Sequence, residues 1–93
     1  MSVYVDDCFA GDDWGKWRGG GHMQADTPEE LHAMATRLGL KRSWFQFKPE
    51  RPWYDHYDLT AGKRQQAIRL GAIAESWRDG ANRRLDARQE KAT

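Results

Sequence analysis

The hydrophobic and polar positions along the chain predict short strands that alternate with helices. Val3, Tyr4 and Val5 form a short apolar run that ends at two aspartates, which predicts a first strand at about residues 2–6. Residues 22–25 fit a second strand, between a run of glycines and the start of a helix. Residues 43–47 are rich in aromatic side chains and predict a third strand, and residues 72–74 predict a fourth.

The clearest local signal is a helix over residues 28–38. Thr27 suits the N-cap, Pro28 suits the first helical position, and Glu30 stands where a capping box requires it. Apolar residues then recur at helical spacing, at Leu31, Met34, Ala35 and Leu38. Gly39 suits the left-handed position that ends a helix.

Two further helices complete the pattern. Thr60 predicts the cap of a helix over residues 61–70, which Gly71 ends, and a third helix starts after Ser76 and frays beyond about residue 89. The order of elements predicts one α/β domain over residues 1–93, with α+β as the alternative. A short sheet of three to four strands would pack against two or three helices, and residues 77–93 would form a basic C-terminal helix with a frayed end.

Residues 10–21 form a glycine-rich segment that contains Trp14 and Trp17. Glycine permits many backbone conformations, so we predict a loop or flap. Its two indoles are suited either to packing or to stacking on a base or on a partner protein.

The composition narrows the class of protein. The chain has 93 residues, a net charge of +1 and a single cysteine, which excludes an internal disulfide framework and a zinc site made only of cysteines. No run approaches the ~18 apolar residues of a membrane span, and the N-terminus lacks the features of a signal peptide, so we expect a cytoplasmic protein without membrane contact. A core this small, with five tryptophans, is compatible with a homodimer.

Charge is unevenly distributed along the chain. Residues 1–30 carry two basic and seven acidic residues, whereas residues 63–93 carry eight basic and four acidic residues. One explanation is that the acidic and basic ends neutralise each other in the fold. The other is that the front of the chain forms an acidic site and the rear forms a basic surface that binds anions.

Aspartates and histidines near the ends of predicted strands and the starts of predicted helices are the candidate catalytic residues. Open α/β sheets bind ligands at such positions. Carboxylates suit Mg²⁺ or Mn²⁺, and two histidines would suit Zn²⁺. The candidates are Asp6, Asp7, His22, Asp26, His56 and Asp58.

Within this set we predict a divalent-metal site made of Asp6, Asp26, His56 and Asp58. On a strand, His56 and Asp58 would share a face. The metal would activate water for hydrolysis, with His56 transferring the proton. Each aspartate also has a structural explanation, as a strand terminator or beside the positive end of a helix.

Lys63 and Arg64 are the candidate ligand-binding cations. They fall in the first turn of the second predicted helix, where the helix dipole disfavours positive charge. This placement predicts an anion site for a nucleotide or nucleic-acid phosphate, with a salt bridge to the acidic front of the chain as the alternative. Cys8 has no neighbouring histidine or cysteine in the sequence, and we expect it to be inert.

An ordered series of motifs over about residues 2–75 resembles the domain of unknown function 4031 family, small proteins of bacteriophages and actinobacteria. We therefore expect a family-like core at residues 1–76. The resemblance implies a phage or prophage setting, hence the host cytoplasm, but no established activity. The motifs are Val3-Tyr4-Val5-Asp6-Asp7, His22-Met23-Gln24-Ala25-Asp26, Glu29-Glu30-Leu31-His32-Ala33, Arg37-Leu38-Gly39-Leu40, Trp44-Phe45-Gln46, His56-Tyr57-Asp58-Leu59 and Lys63-Arg64.

Two functions from different classes fit these observations. One is a small enzyme or ligand-binding domain, in its catalytic form a hydrolase, with a polar site for a metal or a phosphate-bearing ligand. The alternative is a non-catalytic accessory protein that binds a host protein through exposed tryptophans and the glycine-rich loop. The sequence does not decide whether the protein is an enzyme.

Overall fold

A computed structural model describes residues 2–47, 49–51 and 54–92, with side chains as far as residue 86. Within these residues it contains a four-stranded mixed sheet and three α-helices, which confirms the predicted small α/β fold. The strands are β1 (Val3–Val5), β2 (Gly21–Ala25), β3 (Tyr57–Leu59) and β4 (Ile73–Ala74). The helices are α1 (Pro28–Arg37), α2 (Ala61–Arg69) and α3 (Trp77–Ala92).

The strands lie in the order β3-β2-β1-β4. β2 pairs antiparallel with both β1 and β3, and β4 pairs parallel with β1. This register places His22 directly opposite Asp58, with both side chains on the same face of the sheet.

The two faces of the sheet differ in chemistry. One face carries Val5, Met23, Tyr57 and Leu59, which are fully buried and form the core together with Leu31, Met34, Ala35, Leu38 and Ala67 of the helices and their ends. The alternate positions, Tyr4, His22, Gln24 and Asp58, face the other way. The core and the polar groups are therefore on opposite sides of one sheet.

Local signals for the helix ends are confirmed. The Thr27 hydroxyl accepts from the Glu30 amide at 3.2 Å, and Thr60 caps α2 by accepting from the Lys63 amide at 3.4 Å. Gly39 has a φ of 74° and Gly71 a φ of 107°, which is the left-handed region that glycine adopts most readily.

The strand predicted at residues 43–47 is wrong. Residues Arg42–Trp44 form a short 3₁₀ helix, and Gln46 alone makes a β-bridge, with His56. The side chains of this segment do not alternate between a buried and an exposed face, because Trp44 and Phe47 are 51% and 61% exposed and Phe45 packs against the core. With a single inward side chain, the segment gains little from pairing in a sheet.

The glycine-rich loop contains structure that the sequence did not predict. A 3₁₀ helix spans Asp12–Trp17, and Phe9 packs under it with its ring centroid 4.6 Å from that of Trp14. The Gly19 amide donates to the Phe9 carbonyl at 2.7 Å, which closes the base of the loop. At the other end of the chain α3 continues to Ala92, past the predicted fraying at about residue 89. None of the helices in the described segments is long and apolar enough to cross a membrane.

Candidate metal centre

Three side chains converge on the polar face where β2 meets β3. Asp58 Oδ1 lies 3.4 Å from His56 Nε2 and 3.7 Å from His22 Nε2. One ring nitrogen of each histidine and a carboxylate oxygen of Asp58 lie within 4.8 Å of one another. His56 and Asp58 share a face, as the alternation along the chain predicted, and the pairing of β2 with β3 adds His22.

Asp58 Oδ1 is buried and has no hydrogen-bond partner among the described residues. Its other oxygen, Oδ2, accepts from Gln46 Nε2 at 2.7 Å. A buried polar atom without a partner is costly, so its position calls for an explanation. A tetrahedral ion with ligands at ~2.0–2.1 Å separates its ligand atoms by ~3.3 Å, which is close to the distances between Oδ1 and the two Nε2 atoms.

The opposite nitrogen of each ring faces an oxygen. His22 Nδ1 lies 3.1 Å from Asp6 Oδ2, and His56 Nδ1 lies 2.7 Å from the carbonyl oxygen of Tyr54. When Nδ1–H donates to these acceptors, the Nε2 lone pair of a neutral imidazole points at Asp58 Oδ1. Metal-binding histidines are oriented by such contacts to carboxylates and carbonyls.

Asp6 holds His22 from two sides. Its Oδ1 accepts from the amides of His22 and Cys8, at 2.8 and 3.0 Å. Burial of Asp6 would raise its pKa, but the hydrogen bonds from the His22 side chain and from these two amides outweigh burial and hold that pKa below its usual range. Asp6 is therefore a buried carboxylate that keeps its charge.

A proton on His56 Nε2 that is shared with Asp58 lowers the pKa of Asp58, burial opposes this effect, and the hydrogen bond from Gln46 adds to the lowering. The net effect places the pKa of Asp58 below its usual value. Its carboxylate is therefore available as an anionic ligand at neutral pH.

Cys8 was expected to be inert, and the fold places it beside the site. Its Sγ, an Asp6 oxygen and a His22 nitrogen lie within 4.8 Å of one another. Burial raises the pKa of the Cys8 thiol, and the charge of Asp6 raises it further. This environment favours the thiol over the thiolate that binds metals.

Among the described residues, Gln46 and Tyr54 contact the site although the sequence predicted no role for either. Tyr54 lies two residues before His56, whereas Gln46 lies in a different segment from Asp58. The β-bridge between Gln46 and His56 brings the Gln46 amide to Asp58.

Two of the predicted aspartates make contacts elsewhere. Asp26 lies beyond the opposite end of β2 from His22, where it accepts from the Ser2 amide at 2.8 Å and from the Tyr4 hydroxyl at 3.0 Å. Asp7 accepts from the Trp77 amide at 2.8 Å and so caps the start of α3. The structure brings together Asp6, His22, His56 and Asp58, and it gives Asp7 and Asp26 structural contacts.

Lys63 and Arg64 both donate to backbone carbonyls. Lys63 Nζ lies 2.6 Å from the Leu38 oxygen at the end of α1, and Arg64 Nε lies 2.8 Å from the Asp6 oxygen. Arg64 thereby braces the backbone of the residue that orients His22.

Two clefts are each lined by one residue of the centre, and Gln46 lines both. The first, here called the Trp44 cleft, has a volume of about 570 Å³ and is lined by Lys16, Trp17, Leu40, Ser43, Trp44, Gln46, Asp58, Thr60 and Lys63. The second has a volume of about 580 Å³ and is lined by Phe45, Gln46, Phe47, Arg51, Tyr54 and His56. One cleft thus reaches Asp58 and the other reaches His56.

Comparison with known families identifies the chain. The model of a family described as a protein of unknown function (DUF4031) matches residues 3–88. The chain belongs to this family. The DUF4031 match runs past residue 76, where the motif resemblance ended, and takes in most of α3. No curated protein and no solved structure matches the chain.

Proposed function

We propose that His22, His56 and Asp58 form a mononuclear divalent-metal centre that activates water for hydrolysis. The observation that supports it most directly is the buried Asp58 Oδ1, which lacks a hydrogen bond and faces the Nε2 atoms of both histidines. The contacts of Asp6, Tyr54 and Gln46 fix the remaining polar atoms of these three side chains.

Two imidazoles and one carboxylate favour Zn²⁺, and the same donors also bind Fe²⁺, Co²⁺ or Mn²⁺. Three protein ligands leave a tetrahedral ion with one open position, which is the arrangement of catalytic zinc sites. Cys8 lies in a separate group with Asp6 and His22 and does not face His56 and Asp58, so the structure does not offer it as the fourth ligand of this centre.

The bound ion would lower the pKa of a water molecule to about 7, and so supply hydroxide at neutral pH. With a phosphate ester as substrate, the oxygen of that water would bond to phosphorus as the bond from phosphorus to the leaving oxygen breaks. The leaving oxygen would take up the proton that the water released, while His22, His56 and Asp58 would hold the ion. Both ring nitrogens of His56 have contacts, so the geometry favours a ligand role for His56 over the proton transfer predicted from the sequence.

Metal titration tests the centre. Protein freed of metal is titrated with Zn²⁺ by calorimetry and with Co²⁺ by visible absorption, in the wild type and in His22→Asn, His56→Asn and Asp58→Asn. We expect one ion per chain in the wild type and at least about 100-fold weaker binding in each variant, since even outer contacts cost 10–100-fold.

His32→Asn is the matched control, because His32 is the one histidine of the chain outside the proposed centre and lies on α1, across the sheet from it. It should bind zinc like the wild type. If the two imidazoles instead hold protons on Nε2 and simply pair with Asp58, no ion will bind, and the proposal is wrong. The interaction protein that uses Trp14 and Trp17 is then the better explanation.

Hydrolysis is tested separately with bis(p-nitrophenyl) phosphate. The zinc-loaded protein should release p-nitrophenol, and Asp58→Asn should not. Zinc binding without release of p-nitrophenol would reject the phosphodiester hydrolase while leaving the metal centre in place.

A further inference from the structure

We infer that the Trp44 cleft binds nucleotide units of single-stranded nucleic acid. This inference deepens the proposed function, because the cleft leads to Asp58, but the binding itself does not require the metal. Its evidence is a cleft that two indoles line, each with a lysine over its ring, together with the ammonium group of Lys63.

The first indole is Trp44, which ends the 3₁₀ helix Arg42–Trp44. It is 51% exposed, and Lys41 Nζ lies 5.6 Å from its ring centroid. The second is Trp17, with Lys16 Nζ at 5.3 Å. The exposed part of Trp44 offers a surface on which any base can stack, whereas Trp17 is half-buried. A lysine close to either ring can contact the phosphate of a bound nucleotide.

The charges of the cleft match such a ligand. Lys16 and Lys63 line it, and the carboxylate that it reaches, Asp58, is held by Gln46 and faces the two histidines. Lys63 gives one N–H to the Leu38 carbonyl. An ammonium group has three donors, so two remain for phosphate oxygens.

The size of the cleft fits as well. A volume of about 570 Å³ lies within the range of small-ligand sites and has room for one or two nucleotides. Trp44 and Asp58 line the same cleft, so a nucleotide stacked on this indole would have its phosphate within the cleft where the metal-activated water would act. The cleft therefore couples recognition of a base to chemistry at a phosphate.

The test is fluorescence anisotropy of a labelled oligothymidylate of about six nucleotides, in EDTA so that neither metal binding nor cleavage contributes. We expect Trp44→Ala to weaken binding at least about tenfold. Trp77→Ala is the matched control, because Trp77 is 56% exposed at the start of α3 and does not line the cleft. It should bind within about twofold of the wild type.

Salt dependence adds a second readout. Two lysine contacts to phosphate predict that log K falls with log salt at a slope of about −1.4, and Lys16→Ala should reduce that slope by about 0.7. Competition with a mononucleotide shows whether the natural ligand is a free nucleotide or a single strand. If the mononucleotide binds as tightly per site as the oligonucleotide, the ligand is a free nucleotide. If the oligonucleotide binds much more tightly, the ligand is a single strand.

His56→Asn separates the two proposals. If it loses zinc but keeps the oligonucleotide, the cleft binds independently of the metal centre, as inferred. Absence of oligonucleotide and nucleotide binding, tighter binding of duplex, or equal losses in Trp44→Ala and Trp77→Ala would each overturn the inference, whatever the zinc titration shows. The inference is also wrong if the wild type binds no nucleotide but captures a host protein that Trp44→Ala does not capture.

Discussion

Gly21 is the residue whose missing side chain most directly permits the candidate site. A Cβ at this position would overlap the backbone oxygen of Asp6 and press on its carboxylate. Asp6 in turn orients His22 through Nδ1. The close approach of β1 and β2 at this point therefore depends on glycine, and so does the geometry of the first imidazole.

We expect Gly21→Ala to lower the free energy of unfolding by about 1–3 kcal/mol, because the overlapping atoms belong to backbone that must shift. Gly62→Ala is the control: Gly62 lies in α2 with open space around it, and alanine favours helix by about 0.5–1 kcal/mol. Urea denaturation in EDTA measures both. Equal effects of the two substitutions would show that the approach at Gly21 can relax.

At the scale of elements, α1 and β3 are joined by a polar contact inside an otherwise apolar interface. His32 Nδ1 lies 2.9 Å from the hydroxyl of Tyr57, which is fully buried. Burial lowers the pKa of His32, and Arg42 lowers it further. The neutral imidazole thus accepts from the Tyr57 hydroxyl, and protonation on Nδ1 would remove that acceptor.

This contact makes stability depend on pH. Because the pKa of His32 is lower in the folded state than its ordinary value of 6.5, the unfolded chain takes up protons first as pH falls. The stability that neutral His32 contributes is present above about pH 6.5 and declines below it. His32→Asn does not titrate, so the stability of the wild type relative to this variant should decrease from pH 7.5 to pH 5.5.

Urea denaturation in EDTA over this range measures the difference, and the two proteins differ only at residue 32. A difference that is constant with pH would contradict the assignment of a neutral His32.

Sequence reasoning succeeded for elements whose signals are local. Thr27 and Thr60 cap helices through bonds to residues three positions away, and Gly39 and Gly71 end them, so short windows contain the information. The strand at residues 43–47 failed because aromatic content alone does not show which side chains are buried.

The candidate site was only partly predictable, for a topological reason. Asp6 and Asp26 both follow strands, and the carboxyl ends of neighbouring strands meet only when the strands are parallel. β1 and β2 are antiparallel, so Asp6 lies at the His22 end of β2 and Asp26 at the other. His22 meets Asp58 through the pairing of β2 with β3, which no local pattern specifies.

At the scale of the whole molecule, several contacts link the acidic front of the chain to the basic rear through neutral groups. Arg64 donates to the Asp6 carbonyl, and Arg83 and Arg84 both donate to Gln24 Oε1 at 2.9 Å. Two ion pairs each join residues of the same end of the chain: Arg18 pairs with Asp12 at the front, and Arg83 pairs with Glu75 at the rear. α3 thus covers part of the polar sheet face through hydrogen bonds to the Gln24 side chain, and the carboxylates of the candidate site are not used in these contacts.

The separation of core and site predicts how folding relates to the metal. The buried apolar residues lie on the sheet face that α1 and α2 cover, and the three proposed ligands lie on the other face. A double variant, His22→Asn with His56→Asn, should therefore unfold cooperatively in EDTA with the far-UV circular dichroism of the wild type. Zinc at 100 times its dissociation constant should add about 2.7 kcal/mol to the wild type and nothing to the variant. If the variant has no cooperative transition while His32→Asn does, folding would need the ion, as in zinc fingers, and the sheet would not be stable without its centre.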